Sequence, residues 1–194
     1  MPTGFMPVLW LLLLLQACSQ TPRVAAPAIT SVDQEPLPNN WVIKAKLGIR
    51  NGSDSGSVTL NWQQHQNRYT IRLQGALGQG SAVVYGNDQF IVIERPGESP
   101  LYSEDVKGLL EKVFGWDLPI HDFSFWVLGA ANPNQPVTQA SYGPSGTLTV
   151  LEQSQWTLTY SRYETVEQWQ LPKRIRAKQA DSQITLIIRE WQIR

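Results

Sequence analysis

A balanced charge and a single cysteine limit what this chain of 194 residues can do. Its 16 basic and 16 acidic residues give a formal net charge of zero, so it offers no electrostatic footprint for nucleic acid. One cysteine cannot form an internal disulfide, and the length suits one domain with a real core.

The first residues carry targeting features. Residues 8–15 form an apolar run that is too short for a membrane span of about 20 residues but fits a signal peptide. Cys18 follows in Leu-Gln-Ala-Cys, which resembles the lipobox of bacterial lipoproteins, although Gln16 is unusual there and residues 1–7 contain no Lys or Arg. We predict a signal peptide over 1–17 and a lipid anchor on Cys18. An ordinary secretory signal with an incidental cysteine is the alternative.

The residues after the cysteine indicate a location and a linker. Because Ser19 is not Asp, the chain resembles lipoproteins that are sorted to the outer membrane. Residues 18–40 contain four prolines and show neither helical nor strand periodicity. We predict a flexible tether over 18–40 that holds a folded domain at the periplasmic face of the outer membrane.

Apolar and polar residues alternate from residue 41 onward, as in strands with one solvated face. Such runs predict five strands of an antiparallel meander, near 41–50, 58–62, 69–73, 83–85 and 90–93. Strand patterns return near 148–150, 156–160, 175–177 and 184–191. A sheet with so many strands is expected to curl rather than remain flat. The predicted fold class is mainly β, a single domain over 41–194 that forms an unclosed antiparallel barrel of about 10–11 strands.

Two short helices are predicted between about 103 and 129, and they should form a lid over the apolar side of the sheet. Ser103 can cap the first helix and Gly115 can end it. Its apolar residues at helical spacing are Val106, Leu109, Leu110 and Val113. Pro119 suits the start of the second helix, whose apolar side holds Ile120, Phe123, Trp126 and Val127. Gly108 indicates either a close approach, a weak lid or a tolerated surface glycine.

Patterns for common catalytic and metal sites are absent from the sequence. Gly75, Gly78 and Gly80 are not followed by the Lys-Ser/Thr of a phosphate loop, and the two histidines, His65 and His121, lie far apart. No Gly-x-Ser-x-Gly elbow occurs. We predict no enzymatic activity, no metal and no cofactor, although catalytic residues can assemble from distant strands.

Several motifs, in their order along the domain, resemble the LolB family of outer-membrane lipoprotein receptors in the LolA/LolB lipoprotein-localisation superfamily. The motifs are Trp41 with Lys46-Leu47-Gly48-Ile49, Trp62-Gln63-Gln64, Leu73 to Gly80, Gly115-Trp116-Asp117-Leu118-Pro119, Trp126-Val127-Leu128-Gly129, Trp156, Tyr160, Leu171-Pro172 and Trp191. The family usually has Pro before a loop leucine, where this chain has Ala76.

The resemblance implies a hydrophobic cavity beneath the helical lid that takes up acyl chains. It implies three partners, which are the periplasmic carrier LolA, acylated lipoprotein cargo and outer-membrane lipids, and an exposed membrane-inserting leucine that corresponds to Leu77. We expect a monomer. Candidate cavity residues are Trp62, Leu73, Val106, Leu109, Leu110, Val113 and Trp126, whereas Trp41, Trp156 and Trp191 are expected to be packing residues.

Two other functions remain open at this point. A lipoprotein that stores a lipid or other apolar ligand would need the same cavity but no membrane-directed Leu77. A purely structural envelope lipoprotein would need no cavity.

Overall fold

The structure is a computed structural model. Most of the residues that it describes belong to one antiparallel sheet. The described residues are 36–75, 80–115 and 118–194. Outside them lie the predicted signal peptide over 1–17, Cys18, residues 18–35 of the predicted tether, and Leu77. The strands are β1 (Asn40–Asn51), β2 (Asp54–His65), β3 (Arg68–Gly75), β4 (Ser81–Gly86), β5 (Ile91–Glu94), β6 (Leu101–Ser103), β7 (Val137–Tyr142), β8 (Leu148–Gln153), β9 (Trp156–Val166), β10 (Trp169–Gln179) and β11 (Ser182–Ile193).

The sheet consists of two meanders joined by the first and last strands. The strand order is β6-β5-β4-β3-β2-β1-β11-β10-β9-β8-β7. β1 pairs with β11 from Trp41 opposite Ile193 to Asn51 opposite Ser182. β6 and β7 end this order without pairing to each other, so the sheet is not closed. The predicted fold class, an unclosed antiparallel barrel of 10–11 strands with two helices, is confirmed.

Both helices lie in the connection between β6 and β7, the two edge strands of the sheet. They are α1 (Val106–Phe114) and α2 (Ile120–Trp126). The helices lie against the apolar side of the sheet, because Leu110, Ile120 and Phe123 belong to the same buried cluster as the inward-facing residues of the strands. Among the described residues, no helix is long and apolar enough to span a bilayer.

The start of α1 corrects the prediction that Ser103 caps it. Ser103 ends β6, and its hydroxyl accepts a hydrogen bond from the backbone N–H of Asp105 at 2.9 Å. Asp105 is the N-cap, and its carboxylate accepts from the N–H of Gly108 at 2.9 Å. A Cβ on Gly108 would overlap that carboxylate, so the close-approach interpretation of Gly108 holds. Gly115 ends the helix with φ of 74°, as predicted.

We expect Asp105→Ala to lower the free energy of unfolding by about 1 kcal/mol, because it removes the acceptor that satisfies an N–H of the first helical turn. Urea unfolding followed by tryptophan fluorescence measures this loss. Asp105→Asn keeps a capping oxygen and should remain close to the native protein. Equal losses in both variants would contradict the assignment of the cap.

Apolar and polar residues alternate along the strands, and the apolar ones form the buried inner face of the sheet. In β1, Ile43, Ala45 and Leu47 are buried, whereas Lys44 and Lys46 are exposed. The three tryptophans expected to pack, Trp41, Trp156 and Trp191, are buried in this core. Among the described residues, every member of the core cluster lies after residue 36, within one compact unit, and a chain that starts at Ser19 keeps all of these members.

The strand ends lie along two opposite sides of the sheet, which we call the upper edge and the lower edge; they are distinct from the edge strands β6 and β7. The upper edge is where β1 ends at Asn51, β3 at Gly75 and β10 at Gln179, and it carries the β3–β4 loop that contains Leu77. The lower edge is where β1 begins at Asn40 and β2 ends at His65, which pair with each other. Because β1 has 12 residues, the two edges are about 36 Å apart along the strand.

Candidate functional site

A small apolar space lies inside the sheet beneath the helices. Its volume is about 20 Å³, which is room for one water molecule. The described residues that line it are all apolar: Leu47, Leu60, Trp62, Ile71, Leu73, Val84, Leu110, Phe114, Leu118, Ile120, Phe123 and Leu186. An acyl chain would require these side chains, and the helices that carry four of them, to move apart.

A larger pocket opens at the upper edge, directly beside this space. Its volume is about 490 Å³, and it lies between the β1–β2 turn, the roots of the β3–β4 loop and the end of α1. Leu73 and Phe114 line both the pocket and the apolar space, so these two side chains separate them. Gly75 and Gly80 close the roots of the loop through a 2.9 Å hydrogen bond from the N–H of Gly75 to the carbonyl of Gly80.

Three of the seven candidate cavity residues, Trp62, Leu73 and Leu110, line the apolar space. The indole N–H of Trp62 donates to the side-chain carbonyl of Gln64 at 3.0 Å, which fixes the orientation of the ring. The half-buried candidates Val106, Leu109 and Val113 pack against the core but are not among the lining residues.

Trp126, the seventh candidate, does not line the apolar space. It takes part in a buried hydrogen-bond network. Its indole N–H donates to Oε1 of Gln153 at 2.8 Å, and the backbone N–H of Asn132 donates to the same oxygen at 2.8 Å. Nε2 of Gln153 donates to the carbonyls of Asn132 and Gln135 at 2.9 and 3.0 Å. Asn132 in turn donates to the carboxylate of Asp122 at 2.6 Å. The network fastens α2 to β8.

The two helices are therefore held in different ways. α2 buries four of its seven residues and shares the Gln153 network, whereas only Leu110 of α1 is buried. Gly115 in a left-handed conformation separates the helices. α1 is the part of the lid with the weaker attachment to the sheet.

A third pocket, of about 580 Å³, lies at the lower edge and has a more polar lining. There Nδ1 of His121 is 3.0 Å from the carboxylate of Asp88. The hydroxyl of Tyr69 has no hydrogen-bond partner among the described residues, and burial, together with the negative charge of Asp88, raises the pKa of this hydroxyl. None of the candidate residues that line the apolar space borders this pocket.

Nine further residues line the apolar space and were not among the predicted cavity residues: Leu47, Leu60, Ile71, Val84, Phe114, Leu118, Ile120, Phe123 and Leu186. Those on strands share the inward register of Trp62 and Leu73, so alternation held a signal for them. Helical spacing held a signal for Phe114 as well, since it lies four residues after Leu110 and eight after Val106, on the same face of α1.

Comparison with known proteins decides the family. The family model described as "Outer membrane lipoprotein LolB" matches residues 39–191. The chain belongs to the LolB family. An outer-membrane lipoprotein LolB from Cellvibrio japonicus is 34% identical over 185 residues, which cover 92% of this chain and 91% of that protein. The LolB of Pseudomonas aeruginosa strain PAO1 is 37% identical over 154 residues, or 79% of this chain and 75% of the other.

Solved structures with the same fold are much more distant in sequence. A putative outer membrane lipoprotein-sorting protein domain from Vibrio parahaemolyticus gives a TM-score of 0.52 at 7% identity, covering 80% of this chain and 86% of that one. A LolA superfamily protein from Nitrosomonas europaea gives 0.50 at 10% identity, covering 83% and 88%. These likenesses concern the fold alone. Membership of the LolB family makes this chain an outer-membrane lipoprotein, as the sequence predicted.

Proposed function

We propose that this member of the LolB family accepts acylated lipoproteins from the periplasmic carrier LolA and inserts them into the outer membrane. One observation carries the proposal. An all-apolar space beneath a helical lid adjoins a pocket at the same edge that carries the Leu77 loop. In this proposal acyl chains enter at the upper edge, pass between Leu73 and Phe114, and occupy the space once α1 has moved away from the sheet.

Direct transfer between two cavities follows from the energetics of acyl chains. Exposing a C16 chain to water costs on the order of 12 kcal/mol at about 0.8 kcal/mol per methylene, so free diffusion of cargo is prohibited. The sequence has no nucleotide-binding motif to couple transfer to a fuel. The cargo must then move downhill, with the receptor binding acyl chains more tightly than the carrier does and less tightly than the bilayer does.

Leu77 has a different role in this proposal, which is to direct the upper edge at the bilayer. Burying one leucine contributes roughly 1.5 to 3 kcal/mol, which is too little to anchor a protein but enough to bias its orientation. We assign anchoring to acyl chains on Cys18, after removal of residues 1–17, and the reach of the domain to a tether over 18–40. The protein acts as a monomer in this scheme, and it uses neither a metal nor a cofactor.

We expect Leu77→Glu to accept cargo normally but to deliver it to membranes at least about tenfold more slowly, because a carboxylate resists entry into hydrocarbon. The protein, starting at Ser19, is mixed with carrier that holds radiolabelled lipoprotein and then with liposomes. Label on the receptor measures acceptance, and label on the liposomes measures delivery.

Gln79→Glu is the matched control, because it adds the same charge to the same loop and should deliver normally. Equal loss of delivery in both variants would contradict the role of Leu77. If the native protein takes no cargo from the carrier, the receptor function is wrong and storage of a lipid becomes the better explanation.

A further inference from the structure

Basic side chains cluster on the solvated face of β1, β11 and β10. This basic face consists of Lys46, Arg50, Arg174, Arg176 and Lys178. In register, Lys46 and Arg174 lie on either side of Ile187, and Arg50 and Lys178 lie on either side of Gln183. Strands are about 4.8 Å apart and alternate residues about 7 Å apart, so the five charges share a patch of about 10 by 14 Å.

These cations have no acidic partners close by. In the part of the chain that the structure describes, none of the five has a carboxylate oxygen within 4.0 Å, whereas neighbouring Lys44 is 2.8 Å from Glu190. The chain is neutral overall, yet residues 88–122 hold eight acidic and three basic residues. Charge is thus segregated, and the five cations, which lie on β1 and β10 about 7 to 14 Å apart, repel one another. A negatively charged partner would offset that repulsion.

The basic face is continuous with the upper edge. Arg50 directly precedes the end of β1, and Lys178 directly precedes the end of β10. The pairing of Asn51 with Ser182 brings the turns that follow these strands together. A bilayer that touches the upper edge therefore meets Arg50 and Lys178 before the rest of the basic face, together with the exposed Asp54 and Asp181, which lie at the same two turns and reduce the net positive charge there. Ile187, at the centre of this face, is 40% exposed and adds an apolar contact.

We propose that the basic face binds the phosphate-bearing headgroups of anionic phospholipids and holds the upper edge against the bilayer. The family location supplies the surface, because an outer-membrane lipoprotein is always near a bilayer. Each Lys or Arg close to an anionic surface strengthens binding about fivefold. The proposal rests on that location and on the charge pattern, and it does not depend on acceptance of acyl chains.

Vesicle sedimentation tests this proposal with the protein that starts at Ser19. Binding to vesicles of phosphatidylcholine with about one third phosphatidylglycerol should exceed binding to pure phosphatidylcholine, and about 0.5 M NaCl should remove the difference. We expect the triple variant Arg50→Gln/Arg176→Gln/Lys178→Gln to reduce binding to the anionic vesicles by about tenfold or more. Circular dichroism establishes that the variant is folded.

The matched control is the triple variant Arg68→Gln/Arg189→Gln/Arg194→Gln. It also removes three positive charges, but from exposed arginines that lie toward the lower edge. It should keep most of the binding. Equal loss in the two variants would overturn the proposal, since net charge alone would then explain binding. The proposal also fails if the first variant binds vesicles normally but no longer takes cargo from the carrier, because the basic face would then dock a protein.

Discussion

Replacing Gln153 with leucine is expected to lower the free energy of unfolding by about 4 kcal/mol or more, a large effect for one residue. The side chain is 1% exposed and makes four hydrogen bonds, two as acceptor and two as donor. Leucine fills a similar volume but leaves the N–H groups of Trp126 and Asn132 and the carbonyl of Gln135 without their partner, whereas the carbonyl of Asn132 keeps one bond, from the N–H of Gln135 at 3.2 Å. Each orphaned group costs about 1–3 kcal/mol. Urea unfolding followed by circular dichroism measures the change.

Two control variants distinguish the effect of losing the hydrogen bonds of Gln153 from the effect of replacing a glutamine in general. Gln153→Glu keeps the acceptor for Trp126 and loses the two donated bonds, so its stability should also be reduced. Gln74→Leu changes an exposed glutamine and should shift stability by less than about 0.5 kcal/mol. A loss below about 1 kcal/mol for Gln153→Leu would mean that the 127–136 connection rearranges to satisfy its own polar groups.

The variant Leu73→Glu is expected to accept lipoprotein cargo from the carrier at least about tenfold less well than the native protein. Leu73 is half-buried and separates the upper-edge pocket from the apolar space, so a carboxylate there would face any acyl chain that enters. Burial of an unpaired charge against hydrocarbon is strongly unfavourable. Transfer of radiolabelled lipoprotein from loaded carrier, without liposomes, measures acceptance directly.

Val113→Glu is the matched control, because it also puts a carboxylate at a half-buried apolar position, on α1 of the lid, but Val113 does not border the space. It should accept cargo nearly as well as the native protein. If Leu73→Glu is folded and accepts normally, acyl chains do not pass this residue. Equal loss in the two variants would point to general damage to the lid.

Alternation predicted the long strands well because each has one buried and one solvated face. It missed β6 and β7, the strands at the two ends of the sheet. β6 has three residues, and the outer positions of β7, Val137 and Tyr142, are exposed, so neither strand shows the alternation that burial imposes. The start of α1 was misplaced because Ser103 and Asp105 are both good capping residues, and only tertiary pairing with β5 assigns Ser103 to a strand.

The sequence predicted which side chains point toward the inside of the sheet, but it did not predict which of them border the apolar space. Periodicity identifies which side chains point inward, and this gave Trp62, Leu73 and Leu110. It cannot tell a side chain that borders a space from one that fills the core, and Trp126 shows the difference. Its partner Gln153 lies 27 positions away and looks like an ordinary polar residue of a strand in the sequence. A buried network of this kind depends on contacts that no local pattern records.

The length of β1 has a consequence for how the domain is tied to the membrane. If Cys18 carries the proposed acyl anchor, the domain is attached through Asn40, at the lower edge, about 36 Å along β1 from the upper edge. A coil of 22 residues, the number from Ser19 to Asn40, would average roughly 25 Å and reach at most about 75 Å. In the proposed function, a linker at its relaxed length would draw the lower edge toward the bilayer and leave the pocket facing the periplasm, where the carrier arrives. Delivery would then require the domain to turn over against the entropy of the linker, so the domain would receive and deliver cargo in two opposite orientations.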